Sequence, residues 1–217
     1  MAAIALAEVV TADPGAPLAG FQPMGLNHQE ARIIDATLRC IARWGMGKTT
    51  LDDIARQSGY SRATVYRIFP GGKEGLVERV ASVEIARFFG AVAQRMAAAD
   101  SLEELLVVGI AEVSRRLRDH EALQFVMAHE PEVILPKLAF SHQDEVLSAA
   151  TAFAAPYLAR WLGDEDAARA AEWVARIVLS YTSNPADDVD MGDEESVRRL
   201  VRAFVLPGLV TSIPASV

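Results

Sequence analysis

At 217 residues, 51% of them hydrophobic, the chain can bury a substantial core, and no apolar run is long enough to span a membrane, so global disorder and a membrane protein are both excluded. Its net charge of −8 excludes wholesale nonspecific binding of nucleic acid, yet nine Lys and Arg against six Asp and Glu between Asn27 and Val80 make that segment +3 and leave −11 elsewhere. A single cysteine, Cys40, rules out an intrachain disulfide; it is expected as a small buried residue of a cytoplasmic protein.

Residues 1–26 are rich in Ala, Gly and Pro without a sustained period, which predicts a disordered tail. Their opening stretch AAIALAEVV lacks the basic lead and the apolar strength of a signal peptide. Asn27 with Glu30 three positions on reads as a capping box, and Ile33, Ile34, Thr37, Leu38, Ile41 and Trp44 continue at helical spacing as far as Gly45. The following GMGKTT imitates the end of a phosphate-binding loop. Position 42, where that motif needs glycine, is Ala42, and a helix rather than a strand precedes it. Lys48 and Thr49 are therefore read as the entry to a second helix.

From Thr50 to Lys73 the chain reads TLDDIARQSGYSRATVYRIFPGGK. Thr50 is a good N-cap, Asp52 and Asp53 suit the positive end of a helix dipole, and Leu51, Ile54 and Ala55 form a short apolar stripe. Gly59 is the natural left-handed residue after that helix. Ser61 caps another helix carrying Val65, Ile68 and Phe69 inward, and Arg62, Ala63, Thr64, Tyr66 and Arg67 are left as unburied candidates. Two helices this short are unstable alone. Packed on the helix before them, they leave one face free to enter a DNA major groove.

Residues 28–80 resemble the DNA-binding domain of the TetR family of bacterial transcriptional repressors: a helix ending in WGMGKTT, then LDDIARQSGYSRATVYRIF, then KEGLVERV opening a long helix. One departure is that Lys73 lies four residues after Phe69 where the family has three; Pro70-Gly71-Gly72 can absorb the extra residue in a turn. The resemblance implies that Thr49 and Thr50 donate to phosphate and that Ser61, Arg62, Ala63 and Thr64 open the recognition helix. It also implies that Arg62 reads guanine, that Tyr66 and Lys73 hold phosphates, and that Arg67 does either.

A long helix is predicted from Lys73 to 99, and Ser101 with Glu104 opens another as far as His120. Glu121 to His129 is a short apolar helix broken by Pro131 and Pro136, and Ser141 to Leu162 is helical again with a kink at Pro156. From Arg169 to Ser183 only one narrow stripe is polar, and the final helix before Pro207 is similarly broad in its apolar face. A helix apolar over most of its circumference is covered on two sides. One side faces the protein's own core and the other a second copy, through Val174, Ile177, Val178, Tyr181, Leu200 and Phe204.

The resemblance also implies a ligand pocket in the larger domain, with Phe88, Phe89, Phe125, Met127, Phe153 and Trp173 as candidate linings. Their character points to an apolar or amphipathic small molecule. His129, Glu130 and His142 match no closed metal site, and a polar loop contact accounts for them; no metal and no cofactor are expected. Catalytic residues are expected to be absent too, since no nucleophile or isolated carboxylate pair stands out. The sum is an all-α homodimer with a helix-turn-helix domain at 27–80 and a ligand-binding and dimerisation domain at 81–217. Such a protein regulates transcription from a palindromic double-stranded DNA operator. The alternative is a helical small-molecule or lipid-binding protein, or an enzyme, whose helix-turn-helix only packs.

Overall fold

The computed structural model describes residues 26–132 and 143–210, and every regular element among them is helical. The elements are α1 (His28–Lys48), α2 (Leu51–Ser58), α3 (Arg62–Ile68), α4 (Gly72–Ala97), α5 (Leu102–Asp119), α6 (Glu121–His129), α7 (Gln143–Leu158), α8 (Asp164–Ser183), α9 (Glu194–Leu200) and α10 (Leu206–Val210). No described helix is long and apolar enough to cross a membrane. All of the expected tail, residues 1–26, except Leu26 lies outside the described residues, as does the stretch around Pro136 and His142.

Local chemistry sets most boundaries. Asn27 and Glu30 complete their capping box around the start of α1, the Asn27 side chain accepting the Glu30 N–H at 2.9 Å and Glu30 accepting that of Asn27 at 3.1 Å. Only half of the second expected box forms. Ser101 accepts the Glu104 N–H, but the Glu104 carboxylate turns to the backbone N–H of Asp100. The last predicted helix is interrupted by a π turn at Val201–Val205, where Leu206 N–H reaches back to the Val201 carbonyl. Pro207 explains the break: it has no N–H for the Ala203 carbonyl and its ring crowds that position, so the ladder ahead of it widens.

Two apolar cores result. The first joins Ile33, Ile34 and Cys40 of α1, Leu51 and Ile54 of α2, Val65 of α3, Phe69, and Leu76, Val80 and Val83 of α4. The second joins the far end of α4 to α5, α7, α8 and α9 through Val92, Met96, Leu105, Val107, Phe153, Leu158 and Val197. Alanines 167, 170 and 171 are buried on α8, and their small size lets α7 and α8 pack closely. A small third cluster, Ile41 of α1 with Ala122 and Val126 of α6, bridges the two. Cys40 is 1% exposed, and burial pushes its thiol up, so it is an inert core residue.

A DNA-reading head beside an internal cavity

The head is assembled from three short-range devices. Thr50 caps α2 by accepting the Asp53 N–H at 3.2 Å while Asp53 accepts the Thr50 N–H at 3.2 Å. The hydrogen bond from Thr50 holds the Asp53 carboxyl below its ordinary range. Gly59 ends α2 with φ of 76°, a left-handed conformation that glycine adopts without strain. Ser61 then caps α3, accepting the Thr64 N–H at 3.1 Å. Val65, fully buried, anchors α3 to the core, which turns Ser61, Arg62, Ala63, Tyr66 and Arg67 outward and leaves Thr64 half-buried.

The Arg62 guanidinium rests on the Asp52 carboxylate of α2, at 3.0 and 3.3 Å, and lies 5.8 Å from the Tyr66 ring centre. An ion pair this exposed adds at most about 1 kcal/mol to folding, so its consequence is orientation of the side chain. Asp52, expected only to complement a helix dipole, thus also orients the exposed Arg62 side chain of α3.

Two of the expected phosphate donors sit differently. Thr49 is 2% exposed and its hydroxyl donates to the Gly45 carbonyl at 2.6 Å, because the chain turns sharply there. Lys73 donates from Nζ to the carbonyls of Met46, at 2.7 Å, and Gly47, at 3.3 Å. The extra residue ahead of Lys73 is absorbed in a turn in which Gly72 N–H donates to the Phe69 carbonyl at 3.0 Å and Gly72 takes φ of 67°. Thr50 stands at the exposed start of α2, and its hydroxyl both accepts the Asp53 N–H and donates to Asp53 Oδ2 at 2.6 Å.

Below the head lies a cavity of about 520 Å³. Its wall takes Leu38, Ile41 and Met46 from α1, Phe88, Phe89 and Val92 from α4, Leu106 and Ile110 from α5, Leu123 and Val126 from α6, Phe153 from α7, and Val174 and Val178 from α8. Phe89 packs against both Phe88 and Phe153, with ring centres 5.3 and 4.6 Å apart. Polar character is confined to Glu84, Arg116 and His120. His120 Nε2 lies 3.1 Å from Glu84 Oε2, and its Nδ1 accepts the Leu123 N–H that opens α6. That geometry assigns the ring proton to Nε2. Hydrogen bonding to Glu84 raises the His120 pKa; burial pushes the Glu84 carboxyl up, but hydrogen bonds from His120 and Arg87 outweigh it and hold it below its ordinary value. Arg116 is paired with Glu112 at 2.6 Å. The charges at the cavity's edge are therefore mutually compensated.

Three of the six candidate linings, Phe88, Phe89 and Phe153, face this space. Phe125 instead stacks on His129, with ring centres 4.3 Å apart, and neither it nor Met127 reaches the wall. Trp173 is 45% exposed on the outer side of α8. The reverse holds one residue on, for Val174, and for Val178 a turn later: both are expected at a dimer interface and face the cavity. Ile177, Tyr181 and Leu200 are half-buried against the core, and Phe204 is 70% exposed. Among the described residues no cluster of His, Cys, Asp and Glu has the form of a metal site.

A sequence profile described as bacterial regulatory proteins of the tetR family matches residues 33–80. The HTH-type transcriptional regulator Rv1255c of Mycobacterium tuberculosis strain H37Rv is 31% identical over 188 residues, covering 85% of this chain and 86% of its own. Mb2274c of Mycobacterium bovis, also an HTH-type transcriptional regulator, is 30% identical over 161 residues, covering 73% and 82%. Two solved structures share the fold. The TetR family repressor AlkX from Dietzia superposes with a TM-score of 0.56 at 22% identity, covering 85% of this chain and 97% of its own. The fatty acid degradation regulator FadR from Bacillus halodurans gives 0.59 at 21%, covering 83% and 98%. With its capped helix-turn-helix and helical body, the chain belongs to the TetR family of DNA-binding transcriptional regulators.

Proposed function

We propose that the protein is a homodimeric, cytoplasmic repressor that leaves a palindromic operator when an apolar or amphipathic molecule fills the cavity. The observation that carries the sensing half is the cavity itself. Its wall is almost wholly aliphatic and aromatic, and its three ionisable side chains are already neutralised by neighbours, so a ligand with a large net charge would lose hydration there without gaining a partner. A long hydrocarbon body with at most a small polar end fits that description. AlkX is implicated in biodegradation of n-alkanes and FadR is a fatty acid degradation regulator; for this chain the apolar lining itself supports the reading.

The reading half divides the chain into a head at 27–80 and a body from 81 onward. In it, Ser61, Arg62, Ala63 and Thr64 face base edges, and Thr50, Tyr66 and Arg67 face the backbone. Lys73 and Thr49 act by shaping the loop that carries α2. The dimer forms through the outer faces of α8 and the π-broken terminal helix, where Trp173 and Phe204 are uncovered. Ligand chemistry and DNA reading occupy separate parts of the chain.

Two measurements on the purified full-length protein test this. Native mass spectrometry is expected to recover a bound molecule of hydrocarbon character from the dimer. Selection from random duplexes at low salt is expected to return an inverted repeat, bound with an affinity that falls steeply as salt rises. A selected site without two-fold symmetry would overturn the dimeric reading.

A further inference from the structure

We infer that Glu130 is a positioning residue for operator binding: its carboxylate latches the reading head to the body by filling an anion nest in the GMGK loop. The inference rests on the reading of α3 as the operator-binding helix in a two-headed dimer.

The loop that imitates a phosphate-binding motif does hold an anion, supplied by the protein's own chain. Gly45 takes φ of 85°, which breaks α1 and aims the next two amides in one direction. Met46 N–H donates to Glu130 Oε2 at 2.6 Å and Gly47 N–H to Oε1 at 2.9 Å. Successive amides converging on one carboxylate form a nest, and charge-assisted bonds of this kind are stronger than neutral ones. Its positive φ favours glycine at Gly45, and a Cβ there would meet Glu130 Oε1 at 2.6 Å, so that the carboxylate would have to move. From the opposite side Lys73 holds the carbonyls of the same two residues. The peptide of Met46 is therefore gripped at both its polar ends.

What makes this a latch rather than a local cap is where its parts reside. Glu130 ends α6, whose other end is His120 at the cavity's polar edge, and α6 presents Leu123 and Val126 to the cavity. Met46 belongs to the head and places its side chain in that same cavity wall. One short helix thus touches the cavity along its length and grips the head at its tip. With α4 as the other connection, the grip leaves the head little freedom to pivot, so the separation of two heads in a dimer is fixed. Filling the cavity bears on Met46 and α6, the two sides of the latch.

Free heads and fixed heads differ in how they tolerate operator spacing. On the selected operator, inserting two base pairs between the half-sites is expected to weaken the wild-type dimer on the order of 10²-fold, because both heads can no longer engage together. In Glu130→Gln, which keeps size and loses charge and one acceptor, that penalty is expected to shrink by about tenfold. Base preference within each half-site stays as in the wild type, and hydrogen exchange at the Met46 and Gly47 amides speeds up without change in α2 and α3. Gly45→Ala, which dislodges the carboxylate from the head's side, is expected to do the same. An unchanged spacing penalty in both variants overturns the latch, as does a wild type indifferent to spacing. If no duplex is bound at all, the operator reading fails instead, and amide exchange alone decides the latch: no change at Met46 and Gly47 on replacing Glu130 overturns it.

Discussion

Replacing Phe204 by glutamate is expected to give monomers in sedimentation analysis and to weaken operator binding on the order of 10²–10⁴-fold, the loss of a second, tethered head. Phe204 is 70% exposed and Trp173 45%, and a large ring left in water by its own chain is a candidate for burial against another. Phe204 lies in the π turn, whose wider ladder re-aims its side chains relative to a continuous α-helix. In an isologous interface each substitution acts on both copies, so one glutamate places two charges in an apolar seam. An unpaired buried charge costs several kcal/mol, more than a modest interface withstands. The fold itself is spared, since the side chain has few contacts within its own chain. If the variant sediments as wild type and binds equally well, the interface lies elsewhere.

Arg62→Ala is expected to lose about 1–3 kcal/mol of operator affinity and to relax base preference at one position in each half-site. Arg62 stands in the first turn of α3, exposed, with its guanidinium resting on Asp52. In the free protein that carboxylate keeps the fork extended across the front of the head, where an exposed pair is weak. Against DNA, water leaves the interface, and the remaining donors of the fork can meet the two acceptors on a guanine edge. Tyr66→Phe would weaken all sequences alike, since a phosphate contact carries no base information. Comparing selected sites for wild type and Arg62→Ala checks this directly. An identical preference at every position would mean that another residue reads the bases.

The parts of the molecule visible in the sequence are those set over one turn of helix. The Asn27, Thr50 and Ser61 caps, the turn at Gly59 and the bounds of α6 follow from residues three or four apart, and the structure has them all. Contacts between distant segments were another matter. Glu130 meets Met46 across 84 positions, and nothing near either residue announces the other. The glycines of GMGK were the available signal: two glycines around a methionine at a helix end suggest a backbone approached closely by something. Trp173 and Val174 show a different limit. On α8 the apolar face is so broad that periodicity establishes burial on two sides without saying which side is the cavity, and a shift of one residue exchanges the two. The family resemblance points Thr49 and Lys73 at phosphate, while the sharp turn at Gly45 commits both to backbone carbonyls.

Linkage gives the proposed communication between cavity and operator a strict form. The molecule recovered from the cavity should lower operator affinity by some factor, and the operator should lower affinity for that molecule by the same factor. Titrating each in the presence and absence of the other measures both. Equal reductions, within about 5- to 150-fold, are the predicted result. An operator affinity indifferent to a fully occupied cavity would contradict it.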